Sequence, residues 1–434
     1  MTVDAGSAER TTSRHAGRDG AVPDGWRIAP LGELATIVMG QSPPSSRVNE
    51  TGEGQPFIQG NAEFGFRHPT PVKWCISPPK EALPGDILVS VRAPVGELNI
   101  ADRPLAIGRG LAAIRFDGAD RSFGWYVLHL AIRQATRVSQ GSTFLAIGSR
   151  ELRALPVLVP PLPEQRKIAE ILSAVDDAIE KTEAVIEQVR RVKQGLAQQL
   201  LTRGLPGRHT HFKQTEVGEI PACWEVVRLG QIIHRCQYGL SAPLISEPVG
   251  VPVLRMNNLA GGGIDTTDLK YVVLSENDRK VYGLRPGDLL FNRTNSQDLV
   301  GKVSLFNLKS EMAFASYLLR LQVVEERALP TWLNHYLNLP GVQATFRRLA
   351  TPGVSQSNVN ARALLKTLVP LPPIDEQRAV VETVGSFERR MGGETESLAA
   401  FRALKSALMH ALLTGQVRVR VEPVNWSKEV DHVG

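Results

Sequence analysis

The chain has 434 residues, 22% of them charged and 42% hydrophobic, with a formal net charge of +6 and a pI near 9.3. That length is too great for one compact core, and no apolar run approaches the ~20 residues of a membrane span. The three cysteines (Cys75, Cys223, Cys236) are odd in number and lack Cys-x-x-Cys spacing, which argues against a disulfide framework or a zinc site and fits a reducing cytoplasm.

Residues 1–22 are polar and Gly-rich without an apolar core, so they read as a disordered extension and not as a secretory signal. A globular segment, 23–163, opens with Pro23-Asp24-Gly25-Trp26 and Leu31-Gly32. In Pro84-Gly85-Asp86-Ile87-Leu88-Val89 a Pro-Gly turn launches a buried strand, and Trp125-Tyr126 sits in a short helix. Pro160, Pro161 and Pro163 close the segment, and a long helix follows over 164–203. A second globular segment, 204–375, repeats the first: Pro221-Ala222-Cys223-Trp224, Leu229-Gly230, Pro286-Gly287-Asp288-Leu289-Leu290-Phe291 and Trp332-Leu333. His209 and His211, in its leading linker, lack Cys or carboxylate neighbours in sequence and read as solvated side chains. After Pro370, Pro372 and Pro373, residues 376–415 repeat the long helix without a gap, at a constant offset of 212 from Glu164 to Glu376. Pro423-Val424-Asn425-Trp426 echoes the segment start once more. The tail 416–434 is therefore expected to dock on the first domain, which makes the order cyclic. The fold class is α+β: two globular α/β domains separated by two long antiparallel helices that form a coiled coil, pseudo-two-fold in arrangement.

The helices pass a heptad test. In the first, positions a are Leu172, Ile179, Ile186, Lys193 and Leu200, and positions d are Ile168, Val175, Thr182, Val189 and Leu196. In the second, a is Val384, Met391, Leu398, Lys405 and Leu412, and d is Val380, Phe387, Glu394, Phe401 and Leu408. Eight of ten positions are apolar in each copy, with the polar exceptions at the same two places, the pattern of a selected register. In an antiparallel pair, one register sets Lys193 against Glu394 and Lys405 against Thr182 while Ile186 meets Phe401, which leaves neither lysine facing an apolar layer. The Glu-Gln-Arg that opens each helix reads as a helix-start signal. Pro163 suits the first turn and an acidic residue there suits the dipole, without need of a partner. Charged residues on the outer faces, Glu180 and Arg190 among them, read as a solvated surface.

Pro-Pro-Leu-Pro-Glu-Gln-Arg (160–166), the heptad helix and Leu-Leu-Thr-Arg-Gly (200–204) together resemble the conserved regions of type I restriction–modification specificity subunits. The second copy, Pro-Pro-Ile-Asp-Glu-Gln-Arg (372–378) with Leu-Leu-Thr-Gly (412–415), is similar. The Gly-Asp-Ile-Leu and Gly-Asp-Leu-Leu strands resemble that family's target-recognition domains. The resemblance runs from about Pro23 to Trp426 and lies in the duplicated order of parts more than in any one motif. It implies a non-catalytic DNA reader in which each globular domain (23–163 and 204–375) recognises half of a bipartite, asymmetric double-stranded site. The helices would act as spacer and bind two methyltransferase subunits carrying S-adenosylmethionine. Translocase–nuclease subunits using ATP and Mg would join them, and no cofactor or metal would bind this chain itself.

The residues agree with an absence of catalysis. Ser42-Pro43-Pro44-Ser45 and Ser77-Pro78-Pro79-Lys80 lack the aromatic that an amino-methyltransferase loop needs to hold a flipped base. Gly301-Lys302 is followed by Val303, without the hydroxyl of a phosphate-binding loop. The sequence contains no Glu-x-Lys, and Asp268-x-Lys270 and Asp278-x-Lys280 read as turn and surface charges.

Base reading needs Arg, Asn, Gln, Ser or Thr on loops that reach a groove. Three polar clusters recur at matching places in the two domains. Gln59 and Asn61 match Arg255, Asn257 and Asn258. Ser90 and Arg92 match Asn292, Arg293, Thr294 and Asn295. Gln140, Ser142 and Thr143 match Ser355, Gln356, Ser357 and Asn358. Each residue alone is as well explained by a turn or a surface ion pair. Two other classes stay open: a coiled-coil adaptor without a nucleic-acid role, and a DNA-binding protein that acts without a methyltransferase. The basic charge permits all three readings.

Overall fold

A computed structural model describes residues 22–138, 146–351, 353 and 356–421. Residues 1–21 of the expected extension and the Pro423 to Trp426 echo lie outside the described residues. The chain divides into two compact units, residues 1–183 with 397–434 and residues 184–396. The division therefore falls midway along each long helix, not at its ends.

The first unit is built on an antiparallel sheet of β1 (Ala35–Met39), β2 (Ile87–Ser90), β3 (Leu98–Ile100) and β4 (Leu111–Phe116), in the order β1-β4-β2-β3. The Pro-Gly turn launches β2 as expected, and all four of its residues are buried. Gly85 holds a left-handed φ of 86° there, which a side chain would strain. The helix α1 (Arg121–Val138) packs Phe123, Tyr126, Val127 and Ile132 against the sheet core. A second, mixed sheet carries one parallel pair, Gln55–Ile58 with Leu105–Ile107. Residues Arg27–Pro30, just after the first tryptophan, pair with Pro156–Val159, just before the long helix α2 (Leu162–Arg203).

The second unit repeats this plan. Its antiparallel sheet of β5 (Ile233–Tyr238), β6 (Leu289–Asn292), β7 (Val303–Leu305) and β8 (Leu318–Val323) has the matching order β5-β8-β6-β7. The parallel pair reappears as Val251–Leu254 with Ala313–Phe314, and the closing pair as Glu225–Arg228 with Leu368–Leu371. Where α1 is a single helix of 18 residues, the second unit has α3 (Pro330–Leu337) and α4 (Pro340–Leu349). Pro340 has no N–H to continue the first of these, so the helix breaks and restarts. The long helix α5 (Ile374–Leu413) completes the set.

Every predicted a and d position of α2 and α5 is buried or half-buried, so the seam was placed correctly. In the first unit Lys405 meets Asp176 and Arg402 meets Glu183. In the second Lys193 meets Glu388 while Leu200 and Leu201 share a core with Val380 and Val384. Within each unit the two helices thus run antiparallel. The polar partners, however, differ from expectation. The Lys193 amine is 2.6 Å from Glu388, not paired with Glu394, and the Lys405 amine is 2.6 Å from Asp176, not bonded to Thr182. The Thr182 hydroxyl donates to the Ala178 carbonyl of its own helix instead. The cause is reach: each lysine extends its stem along the seam and places its ammonium beside a carboxylate at the flank. Asp176 and Glu388 stand at the same repeat offset as Lys193 and Lys405, so one ion pair is built twice. Among the described residues no helix is long and apolar enough to cross a membrane.

Candidate nucleic-acid interface

The glutamate that opens each long helix has partners that a simple helix-start signal does not require. Glu164 is almost fully buried. It accepts the Trp26 indole N–H at 3.0 Å and a two-pronged bond from the Arg418 guanidinium at 2.9 Å on each prong. Burial works against ionisation of this carboxyl, but Arg418 and Trp26 hold it below the usual carboxylate range. Glu376 is fully buried and accepts the Trp224 indole N–H at 3.0 Å. His209 Nε2 lies 2.6 Å from its other oxygen, so His209 is a bonded, nearly buried side chain and not the solvated one expected. The neighbouring glutamines bind backbone. Gln165 accepts from the Asp120 N–H and donates to the Pro160 carbonyl; Gln377 accepts from the Leu329 N–H and donates to the Pro372 carbonyl. The described part of the tail, 416–421, contacts the first unit through Arg418 and Val419. The sequence signal for these clasps is the pair of tryptophans and the pair of glutamates, each duplicated in step.

The aspartates of the two Pro-Gly-Asp turns are buried braces. Asp86 accepts the Leu83 N–H and a two-pronged bond from Arg115 at 2.8 and 2.7 Å. Asp288 accepts the Arg285 N–H and the Gln322 amide. They lock the loop that leads into each central strand and so fix the side chains beyond it.

Of the polar candidates, several prove to be framework. Ser90, Asn258, Asn292 and Ser357 are buried. Ser90 binds the Pro94 carbonyl and the Glu97 N–H, Asn292 the Leu299 carbonyl, and Asn258 the Asp265 and Asp268 carbonyls. Ser357 bonds to Gln297. Arg255 and Asn257 both reach the Asp268 carboxylate, at 2.7 and 3.1 Å. Asn61 begins a short 3-10 turn, Asn61–Glu63, and Asn295 accepts from the Ser296 N–H. Thr294 and Asn358 face each other in a two-stranded ladder, and Arg293 donates to the Asn358 side-chain amide oxygen Oδ1 at 2.9 Å. Gln59, Arg92 and Gln356 are exposed and remain free to meet a ligand. Gln140, Ser142, Thr143 and Ser355 lie outside the described residues. Strand pairing resolves the second cluster residue by residue: Ser90 pairs with Leu111 and Asn292 with Leu318, while Arg92 bridges to Ala146 and Thr294 pairs with Asn358. Arg92 therefore corresponds to Thr294, and Arg293 to Val91.

Among the described residues, no group of three His, Cys, Asp or Glu side chains is placed to hold a metal ion. Residues 23–191 match the family model for the type I restriction modification DNA specificity domain. The chain is 43% identical over 187 residues to the MjaX type I restriction enzyme specificity subunit of Methanocaldococcus jannaschii, across 42% of this chain and 44% of that one. So it spans less than half of that relative. It is 23% identical over 384 residues to the EcoKI specificity subunit of Escherichia coli K12, across 84% of this chain and 82% of that one. Two solved structures share its fold. One, from work on assembly and conformational transition of the type I R-M system, has a TM-score of 0.59 at 18% identity and covers 92% of this chain and all of that one. The other, the type I S subunit from M. genitalium, has a TM-score of 0.54 at 15% identity and covers 89% and 96%.

Proposed function

The chain belongs to the type I restriction–modification specificity subunits, and from that premise we propose that it selects the DNA sites at which a modification and restriction complex acts. Each globular unit reads one half of a bipartite, asymmetric duplex site. The long helices set the spacing between the halves and receive two methyltransferase subunits. The chain performs no chemistry of its own. Methyl transfer from S-adenosylmethionine belongs to the methyltransferase, and ATP- and Mg-dependent translocation and cleavage to the restriction subunits.

One observation carries this reading. The same strand order, Pro-Gly-Asp brace and tryptophan–glutamate clasp are built twice, while the exposed polar residues around them differ between the copies. A shared scaffold with divergent loops suits a protein that must read two different half-sites in one geometry. The test is a gel shift on genomic fragments with and without the cognate methyltransferase, together with an assay for methyl transfer. Sequence-selective binding that appears or tightens with the methyltransferase, and no methylation by the chain alone, is expected. Full selectivity without it would favour an independent DNA-binding protein. No DNA binding in either case would favour a coiled-coil adaptor, and methyl transfer by the isolated chain would contradict the division of labour.

A further inference from the structure

The two units differ most tellingly at one place on their shared sheet. Backbone pairing identifies equivalent positions: Met39 pairs with Ala112 where Tyr238 pairs with Leu319. Val91 donates its N–H to Gly110 where Arg293 donates its N–H to Tyr317. Thus Met39, Val91 and Gly110 in the first unit become Tyr238, Arg293 and Tyr317 in the second.

In the first unit this place is apolar and closed. Val91 is buried and Met39 packs on the core, and a Cβ added at Gly110 would lie 2.6 Å from the Gln59 carbonyl oxygen. In the second unit the same place stands open. Tyr238 is 47% exposed and Tyr317 45% exposed, although a tyrosine ring has a large apolar area that folding ordinarily covers. The Arg293 guanidinium lies 5.0 Å from the centre of the Tyr238 ring. It also donates to the Ser316 carbonyl, next to Tyr317, at 3.5 Å and to Asn358 at 2.9 Å. One cation therefore braces both aromatic positions before any ligand arrives. A core substitution has no reason to produce this. Replacing three buried or close-packed residues by two half-exposed rings and a cation adds nothing to the packing of the unit. It adds instead a partly cationic, aromatic surface that carries two hydroxyls, and such a surface matches the base edges and backbone of a duplex.

We infer that Tyr238 and Tyr317, braced by Arg293, are the side chains with which the second unit contacts double-stranded DNA and discriminates its half-site. In the first unit the Gln59 backbone lies against Gly110 and fills the corresponding place. This assignment rests on the DNA-recognition reading above, and Arg293 enters it as a positioning residue.

The test uses the full chain assembled with its cognate methyltransferase subunits. Methylated-base mapping of cells carrying the wild-type complex defines the motif. Three synthetic duplexes are then made: one intact, one scrambled in each half. The variant Tyr238→Ala/Tyr317→Ala should lose affinity for the intact duplex by roughly tenfold or more. It should bind the duplex scrambled in the second unit's half about as well as wild type does, and should assemble with the methyltransferase normally. An unchanged preference for the intact duplex would overturn the assignment. So would loss of assembly with DNA preference retained, which would make the patch a protein-docking surface. If the double variant does not melt cooperatively, Tyr317→Ala alone, on an exposed ring, is read by the same criteria. A wild-type complex that prefers none of the duplexes would refute the DNA-recognition reading itself, and this assignment with it.

Discussion

At the scale of single residues, charge and burial decide what each polar side chain does. The Trp26 indole and Arg418 guanidinium on Glu164 form a clasp between the start of the first unit, the start of α2 and the tail. Trp26→Phe keeps most of the apolar contact and removes one hydrogen bond to a charged acceptor, so unfolding should cost about 1.5–3 kcal/mol less than in the wild type. Chemical denaturation measures this, and an unchanged midpoint and slope would show that the clasp is inert. His129 offers a second handle. Burial, with help from Lys405, pushes it down to about 4. A histidine held neutral when folded takes up a proton on unfolding below its ordinary value of ~6.5. Its contribution is therefore complete above that pH and declines as pH falls towards 4. The melting midpoint should drop between pH 7 and pH 5, by roughly 1–3 kcal/mol of stability, and His129→Gln should flatten that slope. A slope the same in both proteins would contradict the assignment. The clasp glutamate adds a separate loss at lower pH, as it protonates below the usual carboxylate range.

Among elements, the long helices were the most legible part of the sequence and their polar pairing the least. Heptad spacing fixes which face is buried, because that face follows from 3.6 residues per turn alone. It does not fix where a lysine ammonium ends up, since a four-carbon stem reaches carboxylates a turn or more away. For the same reason the buried Asn258 and Asn292 looked like free loop residues: only the fold shows which carbonyls they bind. The duplicated ion pairs should be structural. Asp176→Asn and Glu388→Gln each leave a half-buried lysine without its counter-charge, and should lower stability by about 1–2 kcal/mol. Adding Lys405→Met to the first, or Lys193→Met to the second, should recover part of the loss in a double-mutant cycle; strict additivity would show that the charges do not interact. The helix α2 has 42 residues, or ~63 Å at ~1.5 Å per residue. If the helices measure the distance between half-sites, one heptad inserted at matched places in both should lengthen the undefined spacer of the methylated motif by about 3 base pairs. Methylated-base mapping would reveal an unchanged spacer, and with it a helix pair that is not the ruler.

At the scale of the whole chain, the repeat was readable because its landmarks recur in fixed order: Pro-x-x-Trp, Pro-Gly-Asp, a tryptophan on a helix and a proline-led long helix. The order of the four-stranded antiparallel sheet and the parallel pair of the mixed sheet follow one plan in the two units. The side chains that distinguish the units were not readable. The sequence matches the loops only as clusters, whereas strand pairing sets Arg92 against Thr294. Tyr238 and Tyr317 carry no motif at all, and only their exposure on a scaffold that is closed in the first unit singles them out. The central claim is that recognition is divided between two units of one design. It is tested most directly by replacing residues 24–163 with the equivalent segment of a relative of known specificity and mapping methylated bases in cells that also carry the methyltransferase. The account predicts a motif in which one half becomes the relative's and the other half is unchanged. A motif altered in both halves, or in neither, would contradict it.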